Sequence, residues 1–311
     1  MKSRFWTILA MLAMALVMAS CDLDELKAMS KVTEDFSSSY PLDAGGTIEV
    51  HSRNGSVEIL GWEKNTVDIR GTKHARNQEE LGGVKVDISA LPGAITVRSV
   101  FPDNRASGKG VRYVLRVPFS AKVTTVNTSN GHIRVEEVAQ ATKLETSNAA
   151  ITVNRTEGPL LADTSNGAIR VSGTKGDLRL DTSNGRIEAD DVAGAVTADT
   201  SNGPIRVSVA EPAPQKELRF DTSNSSIEVT LKRYAANPMT LESSNGGITL
   251  RIPENSNATI DARTSNGGIQ TDFPVTVRGE IKKNSLRTQL GSGGPGITLA
   301  TSNSGIRLLR Y

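Results

Sequence analysis

One tract, Thr164-Ser165-Asn166-Gly167-Ala168-Ile169-Arg170-Val171, returns in close copies along most of the chain. Its asparagine recurs at Asn130, Asn148, Asn166, Asn184 and Asn202, four consecutive steps of 18 residues. It recurs again at Asn224, Asn245 and Asn266, after steps of 22, 21 and 21. Asn303 follows 37 residues later, a gap that fits two turns with one motif worn away. Asn54, in Ser52-Arg53-Asn54-Gly55-Ser56-Val57, reads as a diverged first copy. A near-constant period of this length marks a stacked repeat, and it limits the fold more than any single residue does.

Within one copy, Leu144 to Val153, two short strands flank a bend. Alternation sends Leu144 and Thr146 to one side of the first strand and Glu145 and Ser147 to the other; Ile151 and Val153 point inward from the second. Asparagine tolerates left-handed backbone angles and glycine tolerates them better, so Asn-Gly is expected to be where the chain turns. A meander of antiparallel hairpins and a solenoid of stacked coils both use such a unit. Three features favour the solenoid. Asn148, Asn224 and Asn303 are followed by Ala149, Ser225 and Ser304, which are disfavoured at the second position of a type I′ turn. Identity extends over a whole Thr-Ser-Asn-Gly row, as it does when like residues lie on top of one another. Stacked asparagines can also hydrogen-bond amide to amide along the column.

The expected fold is therefore all-β: a single-chain parallel β-solenoid with coils of 18–22 residues. Such coils enclose a thin interior. Ile133, Ile151, Ile169, Ile187, Ile205, Ile227, Ile248, Ile269, Ile297 and Ile306 supply one row, and Val135, Val153, Val171, Val207 and Val229 a second. An aromatic content of only 4% suits that narrowness. Stability would come from summed contacts between neighbouring coils.

Ahead of the repeats, residues 1–20 have the form of a signal peptide: Lys2 and Arg4, then an apolar run from Trp6 to Met18. Val17-Met18-Ala19-Ser20-Cys21 resembles the bacterial lipobox, with Met18 in place of its usual leucine. Cys21 is the single cysteine of 311 residues, and lipid attachment is expected there. A lone cysteine also leaves no intrachain disulfide or thiol relay to build. Removing Lys2 and Arg4 with the leader leaves 34 basic against 34 acidic residues, so nothing points to electrostatic capture of nucleic acid. Residues 21–39, polar and acidic with slight helical character, read as a tether, and Asp22 matches an inner-membrane retention signal of enteric bacteria. Residues 40–311 form the solenoid, with irregular, wider coils over 40–122 and regular ones over 123–311. Phe101 to Gly110 has the composition of a mobile loop. The implied setting is the bacterial cell envelope, anchored to a membrane, on its periplasmic or surface face.

The order Gly46-Thr47-Ile48-Glu49-Val50, Asn54 to Ile59, Gly61-Trp62, Arg116-Val117-Pro118, then the repeats from Thr128, resembles the bacterial putative-adhesin domain family of unknown function. The late Gly291-Ser292-Gly293-Gly294-Pro295 followed by Thr301-Ser302-Asn303 is similar to that family's C-terminal pattern. The resemblance spans nearly all the mature chain and implies a β-solenoid on the cell envelope.

Catalytic signatures are scarce. His51, His74 and His132 lie in dissimilar contexts, and His132 fills a slot held elsewhere by Ala150, Ala168, Arg186, Pro204 or Gly247. No nucleophile elbow, phosphate-binding glycine loop or metal-spaced histidine pair occurs. The sharpest feature is a row of acids three residues before the asparagine: Glu145, Asp163, Asp181, Asp199, Asp221 and Glu242. Stacked at about 4.8 Å, neighbouring charges repel by about 0.9 kcal/mol even in water. Arg179 and Arg219, with Arg170 and Arg206 from beyond the bend, are expected to offset that, and divalent cations such as Ca²⁺ are the alternative. Thr128, Thr146, Thr164, Thr182, Thr200 and Thr222 with their serine neighbours could instead form a water-ordering hydroxyl array. The expectation is no catalysis, no cofactor and no nucleic-acid partner. The function expected is a scaffold or adhesion surface for an envelope protein or glycan. Its rival is a polysaccharide-acting β-helix that uses the acid row, but cleavage needs two carboxyl groups in distinct environments, and sugar-gripping aromatics are few, with Trp62 the last tryptophan after processing.

Overall fold

The computed structural model describes residues 31–102, 108–275 and 283–311. The expected signal segment, Cys21, the first part of the expected tether and the centre of the Phe101–Gly110 loop lie outside them. The rest is two 13-stranded sheets facing each other. Each regular coil contributes one strand to each sheet. In the first sheet (sheet A), Ile133 pairs in parallel with Ile151, and the isoleucine column continues through Ile169, Ile187, Ile205, Ile227 and Ile248. The valine column runs beside it, with Ala189 between Val171 and Val207. In the second sheet (sheet B) the inward column alternates large and small: Leu144, Ala162, Leu180, Ala198, Phe220. These side chains are buried, and the alternation lets consecutive layers interlock in a thin core.

The coils are in register because the bend is built from hydrogen bonds between them. The threonine column is buried, and each hydroxyl works in two directions. Thr182 Oγ1 donates to the Gly167 carbonyl of the coil below at 3.1 Å and accepts from its own Gly185 N–H at 3.1 Å. Thr164 and Thr200 do the same. The threonines are thus turn-builders whose hydroxyls face inward, which takes them out of any water-ordering array and leaves only their serine neighbours exposed. Outside them, each asparagine Nδ2 donates to the Oδ1 of the asparagine one coil away, at 2.6–2.8 Å from Asn148 through Asn245. Asn130 closes onto Asn54 in the same way.

The glycine after the asparagine has a different role from the one expected. Gly167, Gly185 and Gly203 are not among the residues with positive φ. What excludes a side chain is the neighbouring coil: a Cβ on Gly185 would lie 1.7 Å from the Gly167 carbonyl oxygen. The left-handed corner is the opposite one, where sheet A hands the chain to the next coil. Glu137, Arg155, Gly173 and Asp191 stack there at φ of 50–58°, three of them in a conformation that disfavours residues other than glycine.

Both ends of the chain depart from sequential stacking. Asn303 does not follow a missing turn. Strands β20 (Met239–Ser243) and β21 (Ile248–Ile252) are succeeded in the chain by β22 (Ala258–Thr264) and β23 (Ile269–Thr271), yet the last coil, β25 (Gly296–Thr301) and β26 (Ile306–Arg310), lies between the two pairs. The asparagine ladder records the insertion, since Asn303 donates to Asn245 at 2.7 Å and Asn266 donates to Asn303 at 2.8 Å. Ile297 therefore sits in sheet B, beside Met239 and Ile260, and not in the isoleucine column. The N-terminal end mirrors this. The first coil, β2 (Thr47–His51) and β3 (Val57–Trp62), lies between β6 (Ala94–Val100) with β7 (Gly110–Pro118) and β8 (Lys122–Asn127) with β9 (Ile133–Glu136).

Residues 32–39 are not a tether. Val32–Pro41 is an edge strand, β1, antiparallel to β4 (Thr66–Ala75), which in turn is antiparallel to β7. Phe36 fixes it there. Its ring lies over Gly71, where a Cβ would come within 2.1 Å of it, and meets Tyr113 edge-on with centroids 6.2 Å apart. Nor is 66–91 a wide coil. β4, the short helix α1 (Gln78–Gly82) and β5 (Lys85–Leu91), itself antiparallel to β6, close the end of the stack. At the other end β24 (Ser285–Leu290) runs antiparallel to β22. Three of the four sheet edges, β1, β5 and β24, are therefore antiparallel, and the fourth, the parallel β23, is only three residues long; so short an edge is a guard against edge-to-edge association.

The buried hydroxyl column carries coil registry, so Thr182→Val, which keeps the shape and removes both hydrogen bonds, is expected to lower unfolding free energy by about 2 kcal/mol or more. Ser183→Ala, one residue along and exposed, is expected to leave it within about 0.5 kcal/mol. Chemical denaturation of the two variants is the measurement.

Candidate functional site

The register that stacks the threonines also stacks what lies beside them. Glu145, Asp163, Asp181, Asp199, Asp221 and Glu242 are direct parallel partners on the outer face of sheet B. The column is bounded on one side by Asn127 and His51 and on the other by Ala300 and Arg263. Next to the acids, at the bend, the serine that follows each buried threonine is turned outward. Between the two rows runs a trough. Hollows of about 430, 290 and 760 Å³ lie end to end along it and share lining residues at their junctions: Asp163 and Ser165 at the first, Asp221 and Ser223 at the second. The trough extends from Ser52 and Arg53 to Ser302; from Glu145 to Glu242 it has carboxylates along one side and hydroxyls along the other, and Asn127 at one end and Ala300 and Arg263 at the other take the place of the acids.

The acids are offset unevenly. Lys143 meets Glu145 at 2.9 Å and Arg179 meets Asp181 at 2.9 Å. Arg219 serves both Asp221 at 3.5 Å and Glu242 at 3.7 Å. Arg170 and Arg206 do not take part, contrary to expectation. They emerge from sheet A, where Arg170 pairs with Glu188 at 3.1 Å and Arg206 with Glu228 at 3.2 Å. Strand direction decides this, because a residue beyond the bend faces out from the opposite side of the solenoid. Asp163 and Asp199 make no side-chain hydrogen bond or ion pair within the described residues. Asp181 lies between them. Burial holds its carboxyl above the ordinary aspartate range; Arg179 opposes that, and the charges of Asp199 and Asp163 add to it. Asp221 is raised in the same way, by burial and then by Asp199, with Arg219 pulling back and Glu242 pushing further.

Chemically the trough offers repeated acceptors and repeated hydroxyls at the coil spacing of about 4.8 Å. The acids stand in a line, and among the described residues no three histidine, cysteine, aspartate or glutamate side chains converge as a bound metal would require. The histidines remain apart from the acid column's centre. His51 flanks its end, 3.7 Å from Glu49, while His132 lies on sheet A, 3.6 Å from Glu58. The serine wall was in plain view in the sequence as part of the Thr-Ser-Asn-Gly row. Its orientation follows the expected alternation, which set Ser147 on the face of Glu145 and opposite Thr146, so the same row buries one hydroxyl and exposes the next.

Because the folded chain holds a proton on Asp181 at a pH where the unfolded chain has already lost it, stability from this group is present at low pH and is lost as pH rises through the raised value. Asp181→Asn is therefore expected to melt at a higher temperature than the parent at neutral pH. The difference should shrink toward zero as the pH is lowered below the ordinary aspartate range. Thermal melts across that range check the sign.

No curated protein matches the chain. The solved structures that are similar to it at low identity include two from bacteria. A putative adhesin from Bacteroides fragilis is 10% identical, covers 91% of this chain and 98% of its own, and superposes with a TM-score of 0.41. A putative cell adhesion protein from Clostridium sporogenes is 11% identical, with 89% and 100% covered and a TM-score of 0.22. The sequence itself is more decisive: residues 41–308 match the profile of the Toastrack DUF4097 family, and the chain belongs to that family.

Proposed function

We propose that the protein is a non-catalytic scaffold of the cell envelope, lipid-anchored through Cys21, that holds an elongated ligand in the trough of sheet B. The continuity of the trough carries this reading. A surface that repeats one carboxylate and one free hydroxyl per coil suits a linear, hydroxyl-rich glycan or an extended envelope polypeptide better than a compact small molecule. A polymer laid along it makes the same contact many times, and weak contacts summed in this way give strong attachment.

One observation favours the rival reading, a polysaccharide-cleaving enzyme: Asp181 is raised while its neighbours lie one coil away, and carboxyl pairs about 5–9 Å apart serve in glycosidases. Wall geometry opposes it. Hydrolysis places the two carboxyl groups on opposite sides of the scissile bond, whereas all six acids here share one wall and serines form the other.

Screening the purified protein against immobilised envelope glycans and envelope proteins is the test. Saturable binding of one linear partner is expected. It should weaken at least tenfold in the Asp163→Asn, Asp199→Asn double variant and persist in Arg170→Gln on the opposite sheet. Binding indifferent to the trough variants would sink the assignment of the surface, and glycan turnover abolished by Asp181→Asn would establish the enzyme instead. The anchor has its own check: Cys21→Ala is expected to move the protein from the membrane fraction to the soluble one.

A further inference from the structure

A second hollow lies on the outer face of sheet A at the N-terminal end of the stack, away from the trough. Its volume is about 730 Å³. The floor is bare backbone and small side chains, Gly55, Ser56 and Gly131. No side chain fits at either glycine, since a Cβ on Gly55 would lie 2.1 Å from the Val111 carbonyl oxygen and one on Gly131 would lie 1.8 Å from that of Gly55. One wall is cationic. The antiparallel register of β4 and β7 sets Thr72 opposite Arg112 and His74 opposite Gly110, which makes His74 and Arg112 diagonal neighbours on one face. Gly110 leaves space for the imidazole: a Cβ there would stand 2.6 Å from His74 Cε1. Lys31, just ahead of β1, completes the group.

The charges around His74 come from every neighbouring strand. From the β1 side come Lys31 and Asp35, the latter accepting the Thr72 hydroxyl at 2.7 Å. From β7 comes Arg112. Glu58 of β3 and His132 form the far wall and face each other at 3.6 Å. Lys73, next to His74 in the chain, is engaged with Glu34 at 2.9 Å. Neither Lys31 nor Arg112 has a hydrogen-bond or ion-pair partner among the described residues. Burial first, then Lys31 and Arg112, holds His74 below the ordinary histidine range. Elsewhere on this sheet Arg134, Arg170 and Arg206 are each matched with a glutamate. Here Lys31, His74 and Arg112 meet on one wall of an open hollow, and its one lining carboxylate, Glu58, lies on the far wall facing His132.

We propose that this cleft binds a dianionic oxyanion, the phosphate or sulfate group of a ligand, between Arg112, Lys31 and protonated His74. A guanidinium presents two parallel N–H donors to such a group, an ammonium adds a mobile third contact, and the histidine makes the affinity rise as pH falls. The assignment stands apart from the trough and does not depend on it.

Proton NMR of the three histidines tests it, with His51 on sheet B as the internal reference. Sulfate is the probe of choice because it stays dianionic throughout the histidine range. In saturating sulfate, or inorganic phosphate, the His74 midpoint is expected to rise by about one pH unit relative to chloride at equal ionic strength. That rise reports a roughly tenfold preference for the protonated form. His51 should not move, and Arg112→Gln, an exposed substitution checked for an unchanged melting temperature, should abolish the rise. No change at His74, an equal change with monovalent acetate, or an undiminished change in Arg112→Gln would overturn the proposal.

Discussion

Registry between successive coils is the constraint from which the rest of the molecule follows. It is set at one bend by two parallel hydrogen-bond columns, buried threonine hydroxyl to glycine carbonyl and exposed asparagine amide to asparagine amide. A one-residue slip in a strand would turn its whole inward set outward, and the threonines would lose both partners at once. Because each coil is fixed on the next at the bend, the features beside the bend become lines along the stack, while register shifts appear away from it, as at Ala189–Ala193. The core is then a set of columns, and so is the surface.

That linear surface separates charge although the totals balance. On sheet B, acids run in a single file with cations spaced beside them, leaving Asp163 and Asp199 unmatched. On sheet A, arginine and glutamate alternate down the column, as in Arg170 with Glu188 and Arg206 with Glu228, and neutralise each other across coils. Lysines and arginines at solvent-exposed sites contribute little stability through such pairs. Their effect is instead to leave one face electrically quiet and the other polarised along its length.

How much of this was legible follows from what repetition can encode. The solenoid, its parallel strands and the stacking of Glu145 through Glu242 were readable because identical residues at a fixed step leave few ways to superpose them. The routing of Arg170 was not, since a spacing does not say which side of a sheet an arginine leaves from. The left-handed corner was only half legible: Gly158, Gly176 and Gly194 recur there at the repeat step with positive φ, whereas Glu137, Arg155, Gly173 and Asp191 share a backbone conformation and no side-chain property. Val32–Pro41 looked like a tether because its polar residues alternate with only Phe36 and Tyr40 as anchors, and an edge strand needs few. The inserted coils escaped because Asn303 carries the same motif whether its coil lies last in line or one place in. Only pairing partners distant in the chain distinguish the two.

That inserted coil bears on how a molecule of this kind changes length. Since the first and last motif copies are each clasped between neighbours, a duplication at either terminus would have no vacant berth to occupy and would displace a strand already seated. Additional turns can enter only along the uninterrupted middle of the stack, where one coil's upper and lower surfaces are interchangeable with the next. Lineages that lengthen this protein should therefore differ in the number of central turns while keeping both ends alike, and the distance between the two tips would vary in whole-coil steps.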